Sequence, residues 1–252
     1  MRVQSQRRIQ IEDLITLALS EHLLKAYYQP IIDLRSDTIV GTEALARIHQ
    51  RDGRVIGPGD FIAVAESSGL IVPLGETMLN LACTQQARWQ IDGNTRNHVS
   101  VNVSARQLAS TTFVNFVAKT LTASHLRPEA VCIELTEPTL IEIGSSRQSS
   151  LHELKDLGVS LAIDDFGTGW SSLSYLRRFP IDIVKIDRSF VAGLGANDDD
   201  TALTQAVIDL TQALHMTTIA EGVETEQQDQ LLRQMGCDQA QGYLYGHPRP
   251  TD

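Results

Sequence analysis

Cysteine is scarce in this 252-residue chain. Cys83, Cys132 and Cys237 are far apart, their number is odd, and none belongs to a Cys-x-x-Cys pair. This usage is typical of a protein kept in a reducing compartment. Because the N-terminal residues also lack the pattern of a signal peptide, we expect a cytoplasmic location, either as a free chain or as the cytoplasmic part of a membrane-attached protein.

Long apolar runs are also missing. No stretch approaches the roughly 20 residues that a membrane-spanning helix needs, so we expect no membrane contact by this chain itself. Basic side chains are in the minority, since 21 Lys and Arg face 31 Asp and Glu and give a formal net charge of −10. An acidic surface argues against DNA binding, but it leaves room for one small phosphorylated ligand that is held through bound cations.

The histidines show no spacing typical of a metal site. Neither His-x-His nor His-x-x-x-His occurs, so a zinc centre built on histidine and cysteine is not expected. The ligands that the chain can offer a metal are therefore oxygen atoms, which suit Mg²⁺ or Mn²⁺. The seven histidines are His22, His49, His98, His125, His152, His215 and His247.

The stretch Val159–Gly169 gives the first chemical signal. An apolar run with β-branched residues ends in Asp164 and Asp165, and a glycine-rich turn comes next. A strand that is buried on both faces has this composition. Two adjacent carboxylates repel each other, and a bound cation removes that cost. Taken alone, the pattern is equally consistent with a polar strand end at which Asp165 helps to cap the next segment of the chain.

The first two predicted strands indicate a hairpin. Strands are predicted over Tyr27–Leu34 and Thr38–Ile48, and only three residues separate them. So short a connection cannot form a parallel crossover, which predicts that the first strand is antiparallel to the second. Pro30 lies inside the first strand and predicts an edge or irregular position.

Strand and helix patterns then alternate to the end of the chain. About eight strands result, of which seven can be parallel, and this number predicts an α/β fold of the TIM-like (β/α)8 barrel type with an antiparallel first strand. An open, doubly wound sheet is the alternative. Residues 1–22 are expected to form an N-terminal linker, Met1–Arg8, and a lead helix that starts at Ile9. Residues 23–252 are expected to form a single domain.

Polar side chains stand at the ends of the predicted strands. In a barrel, the C-terminal ends of parallel strands converge on one face, so residues far apart in sequence would meet there. Two divalent ions can share an activated hydroxide and hold a phosphodiester for in-line attack. Enough charge for two such ions is carried by the carboxylates of Glu43, Glu134, Asp164 and Asp165. The strand-end residues are Glu43, Asn102, Glu134, Asp164, Asp165, Lys185, Glu221 and Gln241.

Eight short motifs, in order along the chain, resemble those of the EAL-domain family of cyclic di-GMP phosphodiesterases. The resemblance extends from about Tyr28 to Pro248. The motifs are Tyr28–Pro30, Glu43–Arg47, Val101–Ser104, Glu134–Glu137, Asp164–Gly169, Lys185–Asp187, Glu221–Glu224 and Gln241–Tyr243.

The resemblance implies metal-dependent hydrolysis of cyclic di-GMP to linear pGpG in bacterial signalling. It assigns two divalent cations, Mg²⁺ or Mn²⁺, to a site in which Asp164 bridges both, and Ca²⁺ is expected to inhibit because its coordination is looser and longer. Lys185 would hold or polarise the attacking water or stabilise the developing charge, and Glu221 matches a carboxylate proposed as a general base. The implied metal ligands are Glu43, Asn102, Glu134, Asp164 and Asp165.

Further residues match positions that contact the substrate or support the site. A homodimer is implied, as are regulatory domains in a longer parent chain. Glu137 would stabilise the loop Phe166–Leu173 through Ser171 or Ser172, and otherwise it would cap a turn. Ile48 and Trp170 depart from the residues usual in the family. The implied substrate contacts are Gln29, Leu45, Arg47, Asp187 and Gln241.

Two other functions fit a barrel of this kind. One is a catalytically silent receptor for cyclic di-GMP, although such members usually lack several metal ligands and this chain lacks none. The other is a protein-interaction scaffold that uses the outer helices, and it would require that neither nucleotide nor metal binds.

Overall fold

A closed barrel of eight strands forms the centre of the molecule. The structure is a computed structural model, and it describes residues 2–93, 98–143, 148–167, 176 and 178–251. The strands are β1 (Leu24–Asp33), β2 (Thr38–His49), β3 (Val55–Ile56), β4 (His98–Asn102), β5 (Val131–Thr136), β6 (Ser160–Phe166), β7 (Ile183–Ile186), β8 (Thr217–Ala220) and β9 (Gln239–Ala240).

The strand order confirms the predicted barrel. β1 pairs with both β2 and β9 and closes the sheet, and both of these pairings are antiparallel. The other seven barrel strands run parallel in the order β2, β4, β5, β6, β7, β8, β9. The two-residue strand β3 only extends β2 at its outer end. The open, doubly wound alternative is therefore wrong.

Helices surround the barrel. Two short 3₁₀ helices, Pro58–Asp60 and Pro128–Ala130, supplement them. No helix in the described ranges combines the length and apolar character needed to cross a membrane. The alternating pattern of the sequence also predicts a helix near Ser171–Arg178, and this segment lies mostly outside the described residues. The helices are α1 (Arg2–Ser20), α2 (Ile62–Ser68), α3 (Ile71–Ile91), α4 (Ala105–Leu108), α5 (Phe113–Ala123), α6 (Glu137–Ile143), α7 (Gln148–Leu157), α8 (Arg188–Ala192), α9 (Asp198–Ala213) and α10 (Glu226–Met235).

The lead helix begins earlier than predicted. Helix α1 starts at Arg2, so the basic segment before Ile9 is helical rather than an irregular linker. Arginine and glutamine are good helix formers, and no proline or glycine interrupts the segment, so the helix continues through it without an apolar stripe. Further along, Ile15 and Ala18 are fully buried against the barrel domain.

The final helix agrees closely with its sequence signals. The spacing of Thr225 and Gln228, three residues apart, predicts a capping box. Thr225 accepts a hydrogen bond from the Gln228 backbone, and the Gln228 side chain accepts one in return from the Thr225 backbone, which completes it. Gly236 ends the helix with φ +79°, a conformation that favours glycine. The irregularity predicted from Pro30 is present as a register shift between Ile31 and Ile32, although closure of the barrel leaves β1 no free edge.

Two layers of side chains fill the barrel interior. The lower layer is apolar and includes Ile31, Cys132, Ala162, Ile183 and Ile219, which form one buried cluster. Side chains two residues further along a strand point to the same face. The lower layer therefore determines which residues form the next layer, toward the C-terminal ends of the parallel strands. That upper layer is polar, and it consists of Gln29, Glu43, Glu134, Asp164, Lys185, Glu221 and Gln241.

Candidate active site: a carboxylate cluster around Lys185

Lys185 lies at the centre of the upper layer. Its side chain is fully buried, and its ammonium group contacts four carboxylates. Burial alone would lower the pKa of Lys185, but the surrounding carboxylates raise that pKa well above its usual value, so the group stays charged. The distances from Lys185 Nζ are 2.7 Å to Glu221 Oε1, 2.9 Å to Glu134 Oε2, 3.2 Å to Asp164 Oδ1 and 3.4 Å to Glu43 Oε2.

One ammonium group does not balance this much negative charge. Burial raises the pKa of Glu221 to about 8, and the nearby carboxylates of Asp164 and Glu43 add to the effect. Burial likewise raises the pKa of Glu134 well above its usual value. The raised pKa values of Glu221 and Glu134 favour their protonated forms unless further cations are present.

The cluster has the chemistry of a metal site. Oxygen atoms of Glu43, Glu134 and Asp164 lie within 4.8 Å of one another, and so do oxygen atoms of Asp164, Asp165 and Glu221. Asp164 belongs to both groups. In addition, Glu134 Oε1 is buried and has no hydrogen-bond partner among the described residues. An unpartnered buried oxygen is costly, and a cation would satisfy it, so these residues fit divalent ions.

A bulge in β6 brings the two adjacent aspartates into the cluster. Neighbouring residues of a regular strand point to opposite faces. Here the pairing with β7 shifts register between Ile163 and Phe166, and Asp165 has φ +54°. The bulge re-aims the Asp165 side chain, and the Asp165 backbone N–H donates to Asp164 Oδ1 at 3.0 Å. Burial and the Asp164 charge raise the pKa of Asp165 to about 6.

Two side-chain amides donate to Glu43, and a third amide supports one of them. Asn102 Nδ2 donates to Glu43 Oε1 at 2.7 Å, and Gln241 Nε2 donates to Glu43 Oε2 at 2.7 Å. Gln241 Nε2 also lies 3.0 Å from Gln29 Oε1, and Gln29 donates to the Gly246 carbonyl. Although burial opposes it, these bonds and the Lys185 charge hold the pKa of Glu43 below its usual value.

The remaining predicted substrate contacts lie above the cluster. Leu45 and Asp187 line a cavity of about 230 Å³ that opens over it. Asp187 also caps helix α8, where its side chain accepts from the Ser189 backbone at 3.0 Å. Arg47 does not line this cavity, and its guanidinium carbon lies 5.5 Å from the Tyr27 ring centre.

Glu137 is buried at the start of helix α6, directly after β5. Its predicted partners Ser171 and Ser172 lie outside the described residues, as does Trp170. Its loop-stabilising role therefore remains a prediction.

Three side chains that line the cavity, besides Gly222 and Gly242, were missing from the predicted site. Arg188, Glu224 and Tyr243 line the same 230 Å³ cavity. Each comes within one to three positions after a predicted site residue, so the strand ends could have indicated them. A second cavity of about 250 Å³ adjoins the site at Leu45 and Asn102 and is otherwise lined mainly by apolar residues of β2, α2 and α3.

Comparison with known proteins agrees with this geometry. A family model described as the EAL domain matches residues 12–248. MucR of Pseudomonas aeruginosa, named a bifunctional diguanylate cyclase/cyclic di-GMP phosphodiesterase, is 37% identical over 252 residues, which are 100% of this chain and 37% of MucR. NbdA of the same organism, named a cyclic di-GMP phosphodiesterase, is 38% identical over 98% of this chain and 32% of its own length.

A solved structure shares the fold throughout. The PaMucR phosphodiesterase in complex with c-di-GMP superposes with a TM-score of 0.92 at 38% identity, over 96% of this chain and 98% of that one. The chain spans little more than a third of the length of the full MucR protein. Because the family model matches nearly the whole length of the chain, the chain belongs to the EAL domain family.

Proposed function

We propose that this chain hydrolyses cyclic di-GMP to linear pGpG and requires divalent cations to do so. The observation that carries the proposal is the buried carboxylate cluster in which Asp164 belongs to two ligand groups at once. The named activities of MucR and NbdA, and the cyclic di-GMP bound to the matching PaMucR structure, point to the same substrate.

The cluster residues would hold two cations, Mg²⁺ or Mn²⁺. Glu43 and Glu134 would bind one, Asp165 would bind the other, and Asp164 would bridge them, with Asn102 at the exposed rim beside Glu43. When bound, the cations would lower the pKa of the attacking water and neutralise charge on the phosphodiester.

Lys185 would act on the attacking water or on the charge that develops during attack. Its ammonium group stays charged in the cluster and is within hydrogen-bond distance of three of the proposed ligands. Glu221, which pairs with Lys185 at 2.7 Å, would accept a proton once bound cations have displaced its own, because burial makes its carboxylate a stronger base than an exposed one.

Residues above the cluster would hold the substrate. Gln29, Gln241, Leu45 and Asp187 line the cavity together with Glu43 and Asp165. Arg47 presents a planar fork of donors that suits a phosphate. Glu137 would stabilise the loop after β6.

We propose that the barrel works as one module of a longer regulatory chain. MucR and NbdA are about three times as long as this chain, which supports further domains before or after the barrel in the same chain. A homodimer and a cytoplasmic location are part of the same proposal, and light scattering after size-exclusion chromatography tests the dimer.

Chromatographic analysis of the products tests the proposed reaction. The protein is incubated with cyclic di-GMP in Mg²⁺, in Mn²⁺, in Ca²⁺ and in chelator. We expect pGpG with Mg²⁺ or Mn²⁺ only, and none from Glu43→Gln. Glu153→Gln, an exposed carboxylate on α7, is the matched control and should remain active. Tight binding of cyclic di-GMP without any pGpG would instead identify a silent receptor, and full turnover in chelator would overturn the metal mechanism.

A further inference from the structure

The hairpin of β1 and β2 extends beyond the barrel mouth. Strand β2 pairs with β4 only through Ala44, whereas its pairing with β1 continues without interruption to Ile48. The outer part of the hairpin is therefore a ribbon above the rim, in which β3 pairs with β2 only at Ile48 and His49. Residues alternate between its two faces, and those that share the face of Glu43 and Gln29 lie toward the mouth. They include Tyr27 on β1 and Arg47 and His49 on β2.

Arg47 lies well away from the carboxylate cluster. It is four residues beyond Glu43, which corresponds to about 13 Å along a strand. The only hydrogen bond of its side chain within the described part of the chain runs from Nη1 to the Ala46 carbonyl, at 2.8 Å. The other donors of the fork are thus available to an anion above the mouth. A cyclic dinucleotide carries two phosphates, so while one lies at the cluster the other is available to the free donors of the long arginine side chain.

Tyr27 supports the guanidinium of Arg47 from one side. The Arg47 guanidinium carbon lies 5.5 Å from the centre of the tyrosine ring, within the range of a cation–π contact. The two residues sit on adjacent strands, Tyr27 opposite Leu45 and Arg47 opposite Lys25. The ring therefore limits the positions that the long arginine side chain can take.

His49 in turn fixes Tyr27. Tyr27 Oη and His49 Nε2 are 3.2 Å apart, and the two rings meet edge to face with centroids 5.8 Å apart. His49 lies two residues beyond Arg47 on the same face of β2. The three side chains form one contiguous chain of contacts, from His49 through Tyr27 to Arg47.

We propose that Tyr27 and His49 are positioning residues that hold Arg47 ready for the uncut phosphate of the substrate. The inference rests on the proposed function, because it assigns a role within that site. It concerns the orientation of the arginine before the substrate binds. Because an arginine side chain that is already ordered loses less conformational freedom on binding, the substrate binds more tightly.

Steady-state kinetics with two substrates tests the proposal. Tyr27→Phe keeps the ring and removes the bond to His49, so KM for cyclic di-GMP should rise by about two- to ten-fold with little change in kcat. Tyr27→Leu also removes the ring and should raise KM by a further factor of about two or more. His49→Leu should match Tyr27→Phe, and His49→Gln, whose amide can still bond to the hydroxyl, should recover part of the loss. With bis(p-nitrophenyl) phosphate, which has one phosphate, none of these variants should change kcat/KM.

Two comparisons separate positioning from a general loss of structure. Tyr28→Phe is the matched control, because its hydroxyl bonds to the Leu81 carbonyl on the opposite face of the same strand, and it should leave KM unchanged. In an Arg47→Ala background, Tyr27→Phe should have no further effect on KM. An unchanged KM in the Tyr27 variants, equal losses on both substrates, or full additivity with Arg47→Ala would overturn the proposal. If the wild-type protein forms no pGpG, the proposed function itself has failed, and the dissociation constant for cyclic di-GMP replaces KM in the same comparison.

Discussion

Lys185 Nζ and Glu134 Oε2 are 2.9 Å apart, and both side chains are completely buried in the barrel. The other oxygen of Glu134 has no hydrogen-bond partner among the described residues. A buried ion pair contributes little net stability by itself, because desolvation offsets the attraction, but loss of one partner is costly. The stability of the metal-free barrel therefore depends on how well the charges in the site are balanced.

Replacing the central ammonium should destabilise the metal-free protein strongly. Lys185→Met leaves four buried carboxylates without their common cation, and we expect a loss of about 3–5 kcal/mol in the free energy of unfolding. Mg²⁺ should restore part of the loss, since added cations offset the same charge. Urea denaturation at pH 8 in chelator and in Mg²⁺ measures both effects.

Lys155→Met is the control for this substitution. Lys155 pairs with Asp182 at 2.8 Å, but both side chains are partly exposed, so its loss should cost less and should not respond to Mg²⁺. Equal stability of Lys185→Met and the wild type in chelator would contradict the expectation.

Metal binding should raise the melting temperature, with Asp164 as the most sensitive ligand. A cation that binds only the folded state stabilises it by about 2.7 kcal/mol at a concentration of 100 Kd. Asp164→Asn affects both ligand groups and should abolish most of the shift with Mn²⁺, whereas Asp165→Asn affects one group and should retain part of it. Calorimetric titration gives the affinities, and Asp209→Asn, an exposed carboxylate, should behave as the wild type. A larger loss from Asp165→Asn than from Asp164→Asn would refute the bridging arrangement.

The meeting of the strand-end side chains was predictable, because in a barrel the position of a residue along its strand determines the layer in which its side chain lies. Once the parallel strands are placed, Glu134, Asp164 and Lys185 must lie in one layer, each two residues above an apolar lower-layer residue: Cys132, Ala162 or Ile183. The capping box at Thr225 was equally readable, because its signal is local. In these cases periodicity and local chemistry agree with the fold.

Other features depend on contacts that a single sequence does not display. The bulge at Asp165 arises from pairing with β7, and simple alternation would have pointed Asp164 and Asp165 to opposite faces. The contact of Tyr27 with His49 depends on the register of the hairpin, because these residues are 22 positions apart. The extended start of α1 has no apolar periodicity and was therefore missed.

Protonation of His98 should make the stability of the barrel decrease as the pH falls below about 6.5. Burial lowers the pKa of His98 in the folded state, and the hydrogen bond to the Val40 backbone only partly opposes this. Near pH 6.5 the unfolded chain therefore takes up a proton before the folded chain does, so unfolding is favoured as the pH falls, by at most about 1.4 kcal/mol per pH unit from this group. Urea denaturation of His98→Gln should show a weaker dependence between pH 5 and 7. His215→Gln, at an exposed position, should keep the wild-type dependence, and an unchanged slope for His98→Gln would count against this origin.

A methyl group at Gly41 should clash with the same imidazole. A Cβ atom placed on Gly41 would lie 2.5 Å from His98 Cε1, closer than carbon atoms approach without displacement. We therefore expect Gly41→Ala to cost about 1–3 kcal/mol, as overpacking does in a filled interior. Gly59→Ala is the control, because a Cβ atom there meets nothing within 4 Å. The decisive measurement is the double variant: since His98→Ala removes the ring that causes the clash, Gly41→Ala should cost much less in that background, and an equal cost in both backgrounds would show that the strain lies elsewhere.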